Sequence, residues 1–155
     1  MAEFGMVIDG VQIRPASSED VDQIWPLVRE FAVSYRPNRS VFDRSFLELL
    51  GRSDTLVLVA EAPPSAIVGY LLASHHGTLF ANGPVAWVEE LMVSESVRHQ
   101  GVAARLMDFA ETWARNVPTA YVALASRRAA SDFYLDVGYE ESATYFRKTF
   151  VAPEA

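Results

Sequence analysis

Cysteine is absent from all 155 residues, which removes disulfides, thiolate metal sites and cysteine nucleophiles at once. No apolar run approaches the roughly 18 residues of a membrane span. The opening MAEFGMVIDG lacks the basic region and apolar core of a secretory signal. Positive charge is scarce: 13 Lys and Arg face 20 Asp and Glu, for a net charge of -7. That balance argues against nucleic acid or an anionic membrane as a partner and suits a cationic or neutral substrate. The phosphate loops G-x-G-x-x-G and Gly-Lys-Ser/Thr are missing, and so are internal repeats and low-complexity segments. His75, His76 and His99 form no i, i+4 pair with a supporting carboxylate pattern, so no metal site is expected. The expectation is a single cytoplasmic domain over residues 1–155, with residues 1–5 a flexible lead-in.

Half the residues are apolar, and their spacing changes along the chain. Val7 to Arg14 reads as a short strand or hairpin around the Asp9-Gly10 turn, ending at Pro15. Ser17 or Ser18 caps a helix that aligns Val21, Ile24, Leu27, Val28 and Phe31 on one face, with Pro26 expected to kink it. A second helix starts from a cap at Ser40, buries Phe42, Phe46, Leu49 and Leu50, and closes at Gly51. Thr55 to Ala60 is a strand apolar on both faces. The turn Glu61 to Ser65 joins it to a partner strand, Ala66 to Ala73. Val85 to Val93 is the central strand. Val102, Leu106, Phe109, Ala110 and Trp113 form the apolar face of the helix that follows it. Ala120 to Ala125 reads as another buried strand, Arg128 to Val137 as a short helix stopped by Gly138, and Tyr145 to Val151 as a last strand. The order β-α-α-β-β-β-α-β-α-β predicts an α/β domain with one mixed sheet and helices on both faces.

The stretch Ala86 to Arg115 concentrates the chemistry. A strand carrying Glu89 and Glu90 runs into the loop Arg98-His99-Gln100-Gly101-Val102-Ala103, which opens a helix. Unpaired amides and the positive end of the helix dipole make such a junction an anion site. Gly101 lets main chain approach a ligand and Ala103 keeps the next contact small. Adjacent residues on a regular strand face opposite ways, so Glu89 and Glu90 can share a side only if the strand is bulged. Carboxylates amid apolar neighbours in a central strand are costly unless paired, hydrated or functional.

Arg98-x-x-Gly101-x-Ala103 after VEELMV resembles the acetyl-CoA-binding motif of the GNAT acyltransferase superfamily, Arg/Gln-x-x-Gly-x-Gly/Ala. Further on, AASDFYLDVGY (Ala129 to Tyr139) resembles that family's second signature, an alanine-bearing helix with Phe-Tyr that ends in Gly-aromatic. The resemblance implies a mostly antiparallel mixed sheet whose fourth and fifth strands splay apart. It implies that acetyl-CoA lies in that cleft, its pantetheine along the backbone of Leu91, Met92 and Val93. Its pyrophosphate would sit on the loop formed by Arg98, His99, Gln100, Gly101, Val102 and Ala103. By the same correspondence Tyr134 would protonate the departing sulfur, and Glu89 or Glu90 would help deprotonate the amine, Glu89 being preferred as the base. One departure is Arg127, at a position where many relatives carry an asparagine that contacts the cofactor.

The expected activity is therefore transfer of an acetyl group from acetyl-CoA to a primary amine of a small molecule, by direct attack in a ternary complex. A protein N-terminus or lysine is the alternative acceptor. A non-catalytic acyl-CoA sensor and a plain α/β interaction module are the rival roles. A homodimer is compatible with the sequence. The acceptor, where the sequence encodes it, is read by Trp25 to Gly51 and His75 to Pro84, with Tyr35 and Arg36 at the rim.

Overall fold

The computed structural model describes residues 10–151. Its sheet contains β1 (Gln12–Pro15), β2 (Thr55–Ala62), β3 (Ala66–His76), β4 (Val85–Val93) and β5 (Val122–Leu124), in that spatial order. The first four strands pair antiparallel and β5 joins β4 in parallel. The helices are α1 (Val21–Phe31), α2 (Arg39–Leu50), α3 (Val102–Arg115) and α4 (Ser131–Asp136), the last continuing a 3-10 turn at Arg128–Ala130. The predicted fold class holds: a mixed, mostly antiparallel sheet covered by helices on both faces.

The uninterrupted apolar run of β2 follows from that coverage. Val57 and Val59 pack with Ile24 and Leu27 of α1 and Phe46 of α2. Leu56, Leu58 and Ala60 pack on the opposite side with Val102, Leu106, Met107 and Ala110 of α3. The α3 stripe is displaced slightly from the expected one. Met107 and Ala114 are buried, while Phe109 and Trp113 lie at its half-buried margin. An ion cluster ties β1 to the start of α1. Arg14 forks onto both oxygens of the buried Asp20, at 2.9 and 2.8 Å, and reaches Glu61 at 2.8 Å. The Ser17 amide donates to Asp20 as well, at 2.8 Å, which closes the first turn.

Several boundaries differ from expectation. The strand predicted within Val7 to Arg14 is seen as Gln12–Pro15, and its earlier part, like residues 1–5, falls outside the described residues. The cap of α2 is Asn38 rather than Ser40. The Asn38 side chain accepts from the Val41 amide at 3.1 Å, and the Ser40 hydroxyl donates to that same oxygen. Gly51 closes α2 in a right-handed conformation, whereas Gly138 adopts the left-handed one, φ +98°. β5 is shorter than Ala120 to Ala125 and only half-buried. The strand expected at Tyr145 to Val151 does not form. A strand exists only through a ladder partner; residues 140–151 are exposed and outside the sheet, which ends at the three-residue β5.

Candidate active site

The loop after β4 has the geometry its spacing predicts. Gly101 caps α3 at φ +86° with no side chain bonding into the first turn. The first backbone bond of the helix runs from the Arg105 amide to the Gly101 carbonyl, at 3.1 Å. The amides of Val102, Ala103 and Ala104 therefore have no partner within the helix. His99 is also left-handed, φ 64°, so the chain turns twice in quick succession ahead of the helix. A Cβ on Gly101 would meet nothing within 4 Å, so glycine is required here by the backbone angle rather than by crowding. The Arg98 side chain folds back, its Nε donating to the Val93 carbonyl at 3.0 Å. That bond locks the end of β4 to the loop.

The two acids sit at an irregularity in β4. Its register with β3 slips between the pairs Leu72–Glu90 and Ala73–Val88, leaving Glu89 as the extra residue of a bulge. Val88 packs on the α3 side of the sheet and Met92 on the α1–α2 side, although an even spacing in a regular strand would put them on one face. Beyond the bulge, Glu90 accepts a hydrogen bond from the hydroxyl of the buried Tyr70, at 2.7 Å. Glu89 stays exposed. Its carboxyl is pushed up from its ordinary value, first by partial burial and then by the Glu90 charge, with His76 opposing. The Tyr70 phenol is pushed far up by burial and by Glu90, so it remains a donor throughout the working pH range.

The bulge also marks where the sheet opens. β4 pairs with β5 through Ala86, Trp87 and Val88 only. From Glu89 through Leu91, Met92 and Val93 the β5-side edge of β4 has no strand partner, while β3 still pairs with Leu91, Met92 and Val93 on the other edge. This is the splay of the fourth and fifth strands. The α3 N-terminus follows the open edge after a 3-10 turn at Glu95–Val97 and the loop to Gly101.

On the α3 side of the core stands α4, its aromatics packed against the same cluster as Val102 and Leu106. Tyr134 is half-buried there, edge-on to Phe133 at 4.9 Å and to Tyr139 at 6.0 Å between centroids. Burial pushes its phenol up. Tyr139, by contrast, is anchored: its hydroxyl donates to Glu111 of α3 at 2.8 Å, and its amide donates to the Tyr134 carbonyl at 2.9 Å. These bonds clamp the end of α4 against α3 and so fix the helix that carries Tyr134.

Tyr70 and Phe31 are candidate site residues, joined to Glu90 by contact, that the sequence reading missed. Phe31 meets the Tyr70 ring edge-on at 6.5 Å. Arg127 also holds Phe31. Its guanidinium lies 5.6 Å from the Phe31 ring centre and donates to the Phe31 carbonyl at 3.0 Å. Beyond Phe31, at the end of α1, a cavity of about 470 Å³ is lined by Trp25, Arg29, Tyr35 and Arg36, among others. His75 is not part of this region; it stacks on Trp113 of α3 at 4.1 Å. Among the described residues no cluster of metal-ligating side chains occurs, and no helix is long and apolar enough to cross a membrane.

A strand that bulges at an acid, parts from its parallel neighbour there and delivers open amides at a helix N-terminus defines an acyl-CoA-binding α/β fold. The family profile of the acetyltransferase (GNAT) family matches residues 21–139, and the chain belongs to that family. Similar solved structures share the architecture at low identity. A glucosamine-6-phosphate N-acetyltransferase from Arabidopsis thaliana is 19% identical with a TM-score of 0.82, over 92% of this chain and 100% of that one. A transcriptional regulator from Bacillus halodurans is 22% identical, TM-score 0.81, over 90% and 99%. An aminoglycoside 6'-N-acetyltransferase from Acinetobacter baumannii is 21% identical, TM-score 0.76, over 92% and 100%. No curated protein sequence matches the chain.

Proposed function

We propose that this protein transfers an acetyl group from acetyl-CoA to the primary amine of a small molecule, by direct attack within a ternary complex. The observation that carries the reading is the coincidence at Glu89: the bulge, the end of β4–β5 pairing and an upward-shifted carboxyl fall at one residue. The chain fits the co-substrate. The open β4 edge at Leu91, Met92 and Val93 offers main chain to an amide-bearing arm. The amides from Arg98 through Ala103, with the left-handed Gly101, offer donors to a pyrophosphate. Acetyl-CoA supplies the activated acetyl thioester.

In this reading Glu89 takes the proton that the acceptor's ammonium must lose before its nitrogen can attack, and an upward-shifted carboxyl is the better base near neutrality. Glu90, held by Tyr70, presents negative charge to the same ammonium and orients it. Tyr134 gives its phenol proton to the departing sulfur and takes back the second proton of the nitrogen as the adduct collapses to the amide; burial keeps the phenol protonated until then. Most of the barrier reduction comes from holding amine and thioester together, on the order of 7–11 kcal/mol. The acceptor enters along Phe31 from the cavity at Trp25, Arg29, Tyr35 and Arg36. Two of the similar structures are named for acetylating amino sugars, which supports a small acceptor. The test is release of coenzyme A on incubation with acetyl-CoA and a panel of small amines and peptides. Turnover of small amines is expected; turnover of peptides alone would replace the small-molecule reading with a protein acceptor. Cofactor binding without any turnover would favour a sensor.

A further inference from the structure

Glu90, Tyr70, Phe31 and Arg127 lie far apart in the sequence and make one line of contacts. The Tyr70 hydroxyl donates to Glu90 at 2.7 Å, and the Phe31 ring meets Tyr70 edge-on at 6.5 Å. Phe31 is the last residue of α1, so its carbonyl has no partner within the helix. Arg127, 96 positions further along the chain, supplies the missing donor. Its Nη2 donates to that carbonyl at 3.0 Å, and the same guanidinium lies 5.6 Å from the ring centre. The end of α1 is otherwise weakly held. Ala32 leaves the helix in an extended conformation, ψ 114°, without the left-handed turn that closes many helices. Pro26, further back, removes a hydrogen bond from the helix interior. Arg127 itself is fixed by the turn that leads into α4. Its carbonyl accepts from the Ala130 amide at 2.9 Å and from the Ser126 hydroxyl at 2.8 Å.

We propose that Arg127 is a positioning residue for the acceptor. It ties the turn that opens α4, and with it the helix bearing Tyr134, to the end of α1. Through Phe31 and Tyr70 it sets the direction in which the Glu90 carboxylate meets the acceptor's ammonium. The inference rests on the acetyl-transfer reading and adds a link between its two sides. The phenol that serves the leaving sulfur and the acid that orients the incoming amine are joined by one side chain. Arginine suits this task because its planar fork stacks on a ring and donates in its own plane at once, which a lysine ammonium cannot do. Charge alone therefore does not replace it.

Arg127→Ala and Arg127→Lys test the assignment, with one readout that needs no turnover. The Ala32 amide donates to the Val28 carbonyl at 3.1 Å. Its protection from hydrogen exchange should fall about tenfold in Arg127→Ala, the equivalent of one hydrogen bond. The acceptor KM should rise by a similar factor, while kcat and the acetyl-CoA affinity measured by calorimetry stay within about threefold. Arg127→Lys should recover only part of either effect. Tyr70→Phe keeps the ring against Phe31 and removes the bond to Glu90, so it should raise the same KM. Combined with Arg127→Ala it should add little, because both changes reach Glu90 along one line. Independent, fully multiplied effects overturn the proposal, as does unchanged protection at Ala32. Full rescue by Arg127→Lys overturns it too, by making charge the cause. No turnover of any amine by the wild type refutes the acetyl-transfer reading and the acceptor role together. Turnover with an unaltered acceptor KM in Arg127→Ala refutes the role of Arg127 alone.

Discussion

Replacing Glu89 by Gln tests the proposed chemistry most directly, because it keeps the shape of the side chain and removes its ability to take a proton. The residue is exposed and lies outside the β3 ladder at a bulge, so the change touches no packed core and should leave the melting temperature within error. Loss of a general base costs roughly 10²–10⁴-fold in rate, or about 2.7–5.5 kcal/mol of transition-state stabilisation. The acceptor-dependent kcat/KM should fall by that factor, while acetyl-CoA affinity by calorimetry stays unchanged. The pH dependence supplies a second reading. The Glu89 carboxyl is raised by partial burial and by the Glu90 charge, and a base works only when deprotonated. Activity in the wild type should therefore be lost as pH falls through that raised value, and this acid limb should vanish in Glu89→Gln. Glu90→Gln removes the neighbouring charge, so its acid limb should move to lower pH. Released coenzyme A can be followed continuously with a thiol reagent, since the protein has no cysteine of its own to react. A Glu89→Gln enzyme within threefold of wild type, with its acid limb intact, would refute the assignment of the base.

Three further outcomes are expected. Tyr134→Phe should slow turnover roughly a hundredfold with acetyl-CoA affinity nearly intact; unchanged turnover removes the phenol from the mechanism. Gly101→Val forces a β-branched residue to φ +86°, a strain of order 1–3 kcal/mol, and should weaken acetyl-CoA binding tenfold or more by calorimetry. Wild-type affinity there undoes the pyrophosphate assignment. Arg14→Ala leaves Asp20 buried without its partner and should cost about 3 kcal/mol in urea unfolding at neutral pH. Asp20 is held below its ordinary value chiefly by the Arg14 hydrogen bonds. Its contribution is complete above the ordinary carboxylate range and is lost as pH falls through the lowered value, so the gap between variant and wild type should close in acid. A gap that persists there would assign the loss to packing.

Local patterns carried most of the fold. The β2 run, the α3 stripe, the limits of β4 and the left-handed Gly138 follow from side-chain period and glycine chemistry, which act over a few residues. The loop from Arg98 to Ala103 was legible for the same reason: its left-handed glycine and open helix start belong to main chain that a short sequence dictates. The bulge was visible only as a condition, because two adjacent acids state what a shared face would require without saying whether the strand obliges. Tyr70 was illegible, since nothing near position 70 reveals that β3 will set its hydroxyl against Glu90.

What the sequence by itself determined is the set of parts: alternating elements, an amide-rich turn before an amphipathic helix, paired acids and a tyrosine on a short helix. Tertiary structure alone decided how they meet. It slipped the β3–β4 register at Glu89, ended β4–β5 pairing at Val88 and withheld a partner from residues 140–151. Register and pairing depend on contacts between residues distant along the chain, and a strand's own composition does not name its neighbour.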